Sequence, residues 1–144
     1  MFMKRLITAT TLATTLLFGG MVFADQSYPD MTGKWNTKSY SHHHENKGFL
    51  NVSDANGKWV VTEQQGRFFH GERTYTNRSD KKTYTEGFSG VISKDGKRIY
   101  LVDHDEDLLF GDILDDGSIE LIIMDDGGND DISRIGVLEI EKAK

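Results

Sequence analysis

Turn-forming residues recur roughly every ten positions along most of this 144-residue chain. Short runs of Asp, Asn and Gly, such as those at 54–57, 77–80 and 115–117, separate stretches rich in β-branched and aromatic residues. Because Asn and Asp tolerate positive φ and Gly adopts it at little cost, these runs predict hairpin turns. Regular hairpin turns are typical of a meander of short antiparallel strands.

Predicted strands lie between these turns, and no stretch shows the apolar periodicity of a helix. The predicted strands cover 32–41, 48–53, 58–64, 67–76, 83–93, 98–104, 108–114, 118–124 and 132–142. If 48–53 is an irregular extension of the first strand, eight full strands remain. The sequence therefore predicts an all-β fold, an eight-stranded antiparallel up-and-down barrel, with a two-sheet β-sandwich as the alternative.

Glycines placed inside several predicted strands favour the barrel. Gly71, Gly90 and Gly111 each stand near a Phe in the middle of a strand, and Gly136 follows Ile135. Glycine weakens a strand, so its repeated use there predicts sharp curvature at which a Cβ would clash.

The first 24 residues have the order of a secretory signal peptide. Lys4 and Arg5 precede an uncharged apolar stretch, and Ala24 ends a short small-residue pattern before Asp25. We therefore expect residues 1–24 to be a signal peptide and residues 25–144 to form a single β-barrel domain. The expected location is secreted or periplasmic, with no membrane attachment after cleavage.

Charge is distributed unevenly and limits the classes of partner. Residues 99–144 contain 3 basic and 14 acidic side chains, and the sequence as a whole carries a net charge of −6. Such an acidic half would be repelled by nucleic acid and by anionic membrane surfaces, so neither is an expected partner. The chain contains no Cys, so the fold does not rely on disulfides.

The first strand opens with Gly33-Lys34-Trp35, and this Gly-x-Trp start resembles that of the calycin barrels, the lipocalins and avidins. The eight strands and their central glycines look more like the avidins. The resemblance implies that Trp35 plugs the closed end of a barrel and that Arg134 or Lys142 covers it through a cation–π contact. The Trp residues and the last-strand Asp of the avidin biotin site are absent, so biotin binding is not expected.

The aromatic residues could line a ligand cavity or could fill the barrel interior, because both arrangements occur in small barrels. If the barrel holds a small molecule, the residues that we expect to line the site are Arg73, Tyr75, Phe88, Tyr100 and Leu109.

Three adjacent histidines, His42, His43 and His44, form the most reactive-looking cluster in the sequence. They indicate a divalent-metal site, helped by His104, or else an exposed polar loop between the first two strands. The acidic run 103–107 lacks the Gly and Glu positions of an EF-hand, so it does not predict that calcium motif.

No motif of nucleophilic, phosphate-transfer or zinc-protease catalysis is present, and neither catalysis nor a cofactor is expected. Glu63, Glu72 and Glu86 alternate with apolar residues, which is ordinary for outward-facing strand residues. The predicted function is an exported, non-enzymatic small-ligand-binding barrel. The alternatives are a metal-handling envelope protein that uses His42–His44, and an interaction module that forms a homo-oligomer through its strand faces.

Overall fold

Nine antiparallel strands make up the wall of the molecule. The computed structural model describes residues 27–52, 56–77, 80–104, 107–127 and 133–144. The strands are β1 (Gly33–His44), β2 (Gly48–Val52), β3 (Lys58–Gln65), β4 (Phe68–Thr76), β5 (Thr83–Ile92), β6 (Arg98–Asp103), β7 (Leu108–Ile113), β8 (Ile119–Asp125) and β9 (Arg134–Lys142). The predicted signal peptide at 1–24 lies outside the described residues.

Sequential pairing closes the wall into an eight-stranded up-and-down barrel. From β3 to β9 each strand pairs with the next, and β9 pairs with β1. The first half of β1 pairs with β3, and its second half pairs with β2 along the same edge. The predicted barrel is thus confirmed over the β-sandwich. The predicted strand at 48–53 corresponds to β2, which is a separate strand antiparallel to β1 and not an irregular extension of it.

Two β-bulges change which residues face inward. The register of β1 against β9 shifts between Thr37 and Ser39. Because a bulge adds one residue on one strand, the inward positions change from Trp35 before the bulge to Tyr40 and His42 after it. A second shift occurs in β3 between Val61 and Glu63.

One half of the barrel interior is apolar and closed. Its largest fully buried side chains are Phe88, Ile92, Ile99, Leu109, Ile119 and Leu121. The segment before β1 covers this end, because Trp35 Nε1 donates a hydrogen bond of 2.9 Å to the carbonyl of Met31. Lys142 Nζ lies 5.6 Å from the centre of the Trp35 ring, which confirms the predicted plug and its cationic cover. Arg134 stands beside His44 at the other end of the barrel.

The central glycines lie where a Cβ would collide with neighbouring atoms, as the sequence predicts. At Gly71 a Cβ would come within 1.9 Å of the Val60 carbonyl oxygen. At Gly90 it would come within 2.4 Å of the Phe69 ring, which therefore lies across the neighbouring strand. Glycine at these positions lets backbone and ring approach closely enough to close a narrow barrel.

Within the described residues, the structure contains no helix with the length and apolar character needed to cross a membrane.

We predict that Gly71→Ala lowers the free energy of unfolding by about 1–3 kcal/mol, because the obstructing atom belongs to backbone that cannot move alone. Gly87→Ala is the matched control: its Cβ would meet only the exposed His104 ring, at 2.5 Å, which can rotate away. Urea unfolding followed by Trp fluorescence measures both. Equal losses in the two variants would contradict the backbone explanation.

Candidate functional site

Arg73 lies at the centre of a charged cluster in the second half of the barrel interior. Strand alternation along β4 turns Phe69, Gly71 and Arg73 inward, and Arg73 is only 8% exposed. Its Nε donates to Glu86 at 2.7 Å, and its terminal nitrogen donates to Asp103 at 2.7 Å and to Asp107 at 3.0 Å. One guanidinium therefore holds carboxylates from β5, from β6 and from the residue before β7.

Aromatic rings complete the surroundings of the guanidinium. Its carbon lies 5.6 Å from the centre of the Trp59 ring and 5.3 Å from that of Tyr75, within cation–π range. Burial tends to lower the pKa of Arg73, but the neighbouring carboxylates, led by Glu86, outweigh it and raise the pKa above its usual value. Arg73 is therefore a permanent internal cation.

A second, more accessible layer lies nearer to the barrel mouth. Arg134 Nε lies 2.8 Å from Asp125 Oδ2, and its terminal nitrogen lies 3.8 Å from Asp107 Oδ2. Arg134 Nε is buried yet has no hydrogen-bond partner, so its contact with Asp125 is an ion pair without good hydrogen-bond geometry. The side chain of Arg134 is 38% exposed, against 10% for Arg73. The layer around Arg134 is therefore more exposed than the layer around Arg73.

Backbone hydrogen bonds aim the Asp107 carboxylate into the barrel. Asp107 N–H donates to Asp103 Oδ1 at 2.8 Å, and Asp103 N–H donates to the Asp107 carbonyl at 3.1 Å. This exchange joins the end of β6 to the start of β7. It brings both carboxylates to the same guanidinium.

Counted over the described residues alone, the cluster contains more negative than positive groups. Four carboxylates, from Glu86, Asp103, Asp107 and Asp125, face two guanidiniums. Burial raises the pKa of Asp107 above its ordinary value, and the nearby Arg73 offsets only part of that effect. Among the residues that the structure describes, this end of the barrel therefore has an excess of acidic groups.

Two tyrosines line the same end. Tyr75 donates a hydrogen bond of 2.6 Å to Glu86 Oε1. Burial and that hydrogen bond raise the pKa of Tyr75, and burial raises the pKa of Tyr40. Both phenols stay neutral in ordinary conditions and can act as hydrogen-bond donors.

The three adjacent histidines do not point to one place. The rings of Tyr40 and His42 stack at 4.8 Å, and His44 lies on the same face, 6.3 Å from His42. His43 points outward and packs against Phe49. Burial and then the positive charge of Arg134 lower the pKa of His42, whose buried Nδ1 has no hydrogen-bond partner.

No group of three or more His, Asp or Glu side chains among the described residues is placed to hold a metal ion. His104, the proposed helper, lies on the outer face over Gly87 and contacts Ser89. The metal site therefore stays a prediction that the geometry does not strengthen.

The structure divides the five predicted lining residues into three groups. Arg73 and Tyr75 come together at the polar end. Phe88 and Leu109 face inward but lie in the packed apolar half, each 1% exposed. The prediction that Tyr100 lines the interior is wrong. Strand alternation in β6 turns this side chain outward, where its ring packs against Phe110. It cannot line the interior.

Several residues of the cluster escaped prediction. Glu86 was expected to face outward, but it shares the inward face of β5 with Phe88. Asp103 and Asp107 were considered only as part of an acidic run that does not match an EF-hand. Arg134 was considered only as a possible cation over Trp35. The alternation of inward and outward side chains along a strand could have identified Asp103. It lies two residues after the inward Leu101 and therefore faces the same way.

The chain matches no protein-family model, and no curated protein is similar to it in sequence.

We predict that Arg73→Met lowers the free energy of unfolding by about 3–5 kcal/mol, because it leaves buried carboxylates without their cation. Arg98→Met is the matched control, since Arg98 forms an exposed pair with Asp112 at 3.6 Å. That loss should stay below about 1 kcal/mol. Chemical denaturation measures both, and similar small losses would contradict the central role of Arg73.

Asp107 gives a pH dependence of unusual sign. Its pKa is raised in the folded state above the ordinary value of 3.8, so the folded protein binds this proton more tightly than the unfolded chain does. Its contribution to stability is greatest below pH 3.8 and decreases as pH rises through the folded pKa. We predict that Asp107→Asn becomes progressively less destabilising, relative to the unmodified protein, as pH rises through that range. Denaturation series at several pH values measure this difference, and the opposite slope would contradict it.

Proposed function

We propose that this chain is a non-enzymatic binding protein that takes a small organic cation, an amine or a guanidine, at the polar end of its barrel. The excess of carboxylates over guanidiniums inside the barrel is the observation that carries this proposal. A buried excess of negative charge is costly, and a ligand cation that approaches Asp107 and Asp125 would reduce that cost.

The protein's own Arg73 supports the choice of ligand. In this interior a guanidinium is already held by carboxylate oxygens and by two aromatic faces. These are the groups that recognise organic cations in general. A ligand would use the same chemistry one layer further out, where Tyr40, His42 and Asp125 lie near Arg134.

The division of the interior supports a shallow site. The apolar half is occupied by its own side chains, since at most 1% of the surface is exposed for Phe88, Leu109 and Leu121. Exposure increases from Asp103 through Asp107 to Asp125, whose side chains are 1%, 11% and 24% exposed. A ligand would therefore enter from the mouth and stop above Arg73.

A closed barrel of antiparallel strands with Trp35 buried at one end is consistent with a calycin-like fold. We infer a likeness to the avidin and lipocalin barrels in architecture only. An exported location, as the first 24 residues predict, would let such a protein meet solutes outside the cytoplasm.

A matched set of four-carbon ligands tests the charge preference. Putrescine, butane-1,4-diol and succinate have the same chain length but carry positive, no and negative charge. We predict that putrescine raises the melting temperature and binds in calorimetry, and that the other two do not. Equal effects of the three ligands would overturn the proposal. It would also be overturned if none of the three binds and if agmatine and choline, tested separately, do not bind either.

Two substitutions should act in opposite directions on the same measurement. Asp125→Asn should weaken putrescine binding by about tenfold or more, through the loss of a charged contact. Arg134→Met should strengthen it, because it removes the competing cation from Asp125 and Asp107. Glu141→Gln, at an exposed position on β9, is the control and should change nothing.

Zn²⁺ is included as a separate ligand. If Zn²⁺ binds, and if replacing His42 and His44 by Ala abolishes that binding, the metal-handling alternative would be favoured instead.

A further inference from the structure

The outer face of β6 to β9 carries two adjacent rows of apolar side chains, which we call the apolar belt. Strand register places the members of each row directly opposite one another. The row nearer the polar end consists of Val102, Leu108, Met124 and Ile135, and the next row consists of Tyr100, Phe110, Ile122 and Val137. Each of the eight is 38–52% exposed. The belt is thus a continuous surface rather than scattered apolar residues.

Polar side chains cover part of the outer wall beside the belt. On the outer face of β4 and β5 the opposed residues are Thr74 and Thr85, whose hydroxyls lie 3.1 Å apart. A charged row that contains Arg98, Asp112 and Glu120 borders the belt on its closed-end side. The belt therefore has a defined charged edge.

The strands beneath the belt are apolar on both faces. In β8 the inward Leu121 and Ile123 alternate with the outward Ile122 and Met124. A strand that is apolar on both faces is typical of a sheet that is covered on both sides. The interior covers one face of β8, and the described residues leave its outward face exposed.

The size of the belt suits an interface. Eight large side chains at these exposures present an apolar surface on the order of 600 Å², the upper limit for a typical monomer. With a polar rim, such a surface approaches the roughly 800 Å² that each partner buries in a standard protein–protein interface.

Charge favours a second copy of this chain as the occupant. A two-fold symmetric contact sets a patch against itself, so like charges in its centre would repel. All eight belt side chains are uncharged, although residues 99–144 contain 3 basic and 14 acidic side chains. An uncharged apolar patch is complementary to its own copy, and the acidic groups stay at the rim or inside the barrel.

We propose that the apolar belt is the interface of a symmetric homodimer, in which the faces of β7 and β8 of one protomer pack on those of its partner. Phe110 and Ile122, which pair across these central strands, would lie near the two-fold axis. A groove lined by Tyr100, Phe110 and Ile122 on its apolar side provides relief into which side chains of the second copy can fit. This inference does not depend on the proposed ligand.

The absence of native Cys makes a direct test possible. Ile122→Cys places one thiol in the belt, and Thr85→Cys places one on the polar part of the wall as the control. A bis-maleimide whose reach matches the ~10 Å between packed sheets should link two copies of I122C and should leave T85C monomeric. Linking of neither variant, or of both to the same extent, would overturn the proposal.

Sedimentation of the unmodified protein and of Ile122→Lys gives a second readout. The unmodified protein should sediment as a dimer, and I122K should have a dimer dissociation constant higher by about tenfold or more, because equal charges meet across the axis. A monomeric unmodified protein, or a dimer that I122K leaves intact, would overturn the proposal. If I122K does not fold, the conservative I122C variant decides the question alone.

Discussion

The Arg73 guanidinium inside the barrel is the interaction on which the polar half of the structure depends. A buried cation is tolerated only if several partners replace its water, and here they come from β5, from β6 and from the residue before β7. The side chain of one residue therefore joins β4, β5, β6 and the residue before β7 at the polar end of the barrel. The same network leaves more carboxylates than cations, and the chemistry of the proposed site follows from that imbalance.

Backbone geometry separates the charged half of the interior from the apolar half. Gly71 lets the carbonyl of Val60 approach closely, beside the bulge in β3, and Gly90 leaves room for the Phe69 ring. Trp59 and Phe88 pack edge to face, with ring centres 5.4 Å apart, and form the boundary under Arg73. Trp59 in this layer also offers the guanidinium a cation–π contact, which an aliphatic side chain could not.

In the acidic part of the chain, several acidic side chains face the barrel interior and several apolar side chains face outward. Asp103, Asp107 and Asp125 point into the barrel, whereas Val102, Leu108 and Met124 point out. These three acidic side chains therefore contribute less to surface charge than the composition implies, and the exterior opposite them is apolar. The proposed ligand site and the proposed dimer interface are the two sides of the same strands.

The sequence by itself predicted the strands and the curvature glycines, because turn chemistry and alternation are local properties of the chain. It favoured the barrel over the β-sandwich, and the resemblance to the calycin barrels supplied the Trp35 plug. It also identified Arg73 and Tyr75 as interior residues of interest. It misplaced Tyr100 and Glu86, because a one-residue difference in parity moves a side chain to the opposite face of a strand. Only the tertiary structure decided that Glu86, Asp103, Asp107 and Arg134 meet near Arg73. Their contacts join residues far apart in the chain, so only the pairing of the strands brings these side chains together.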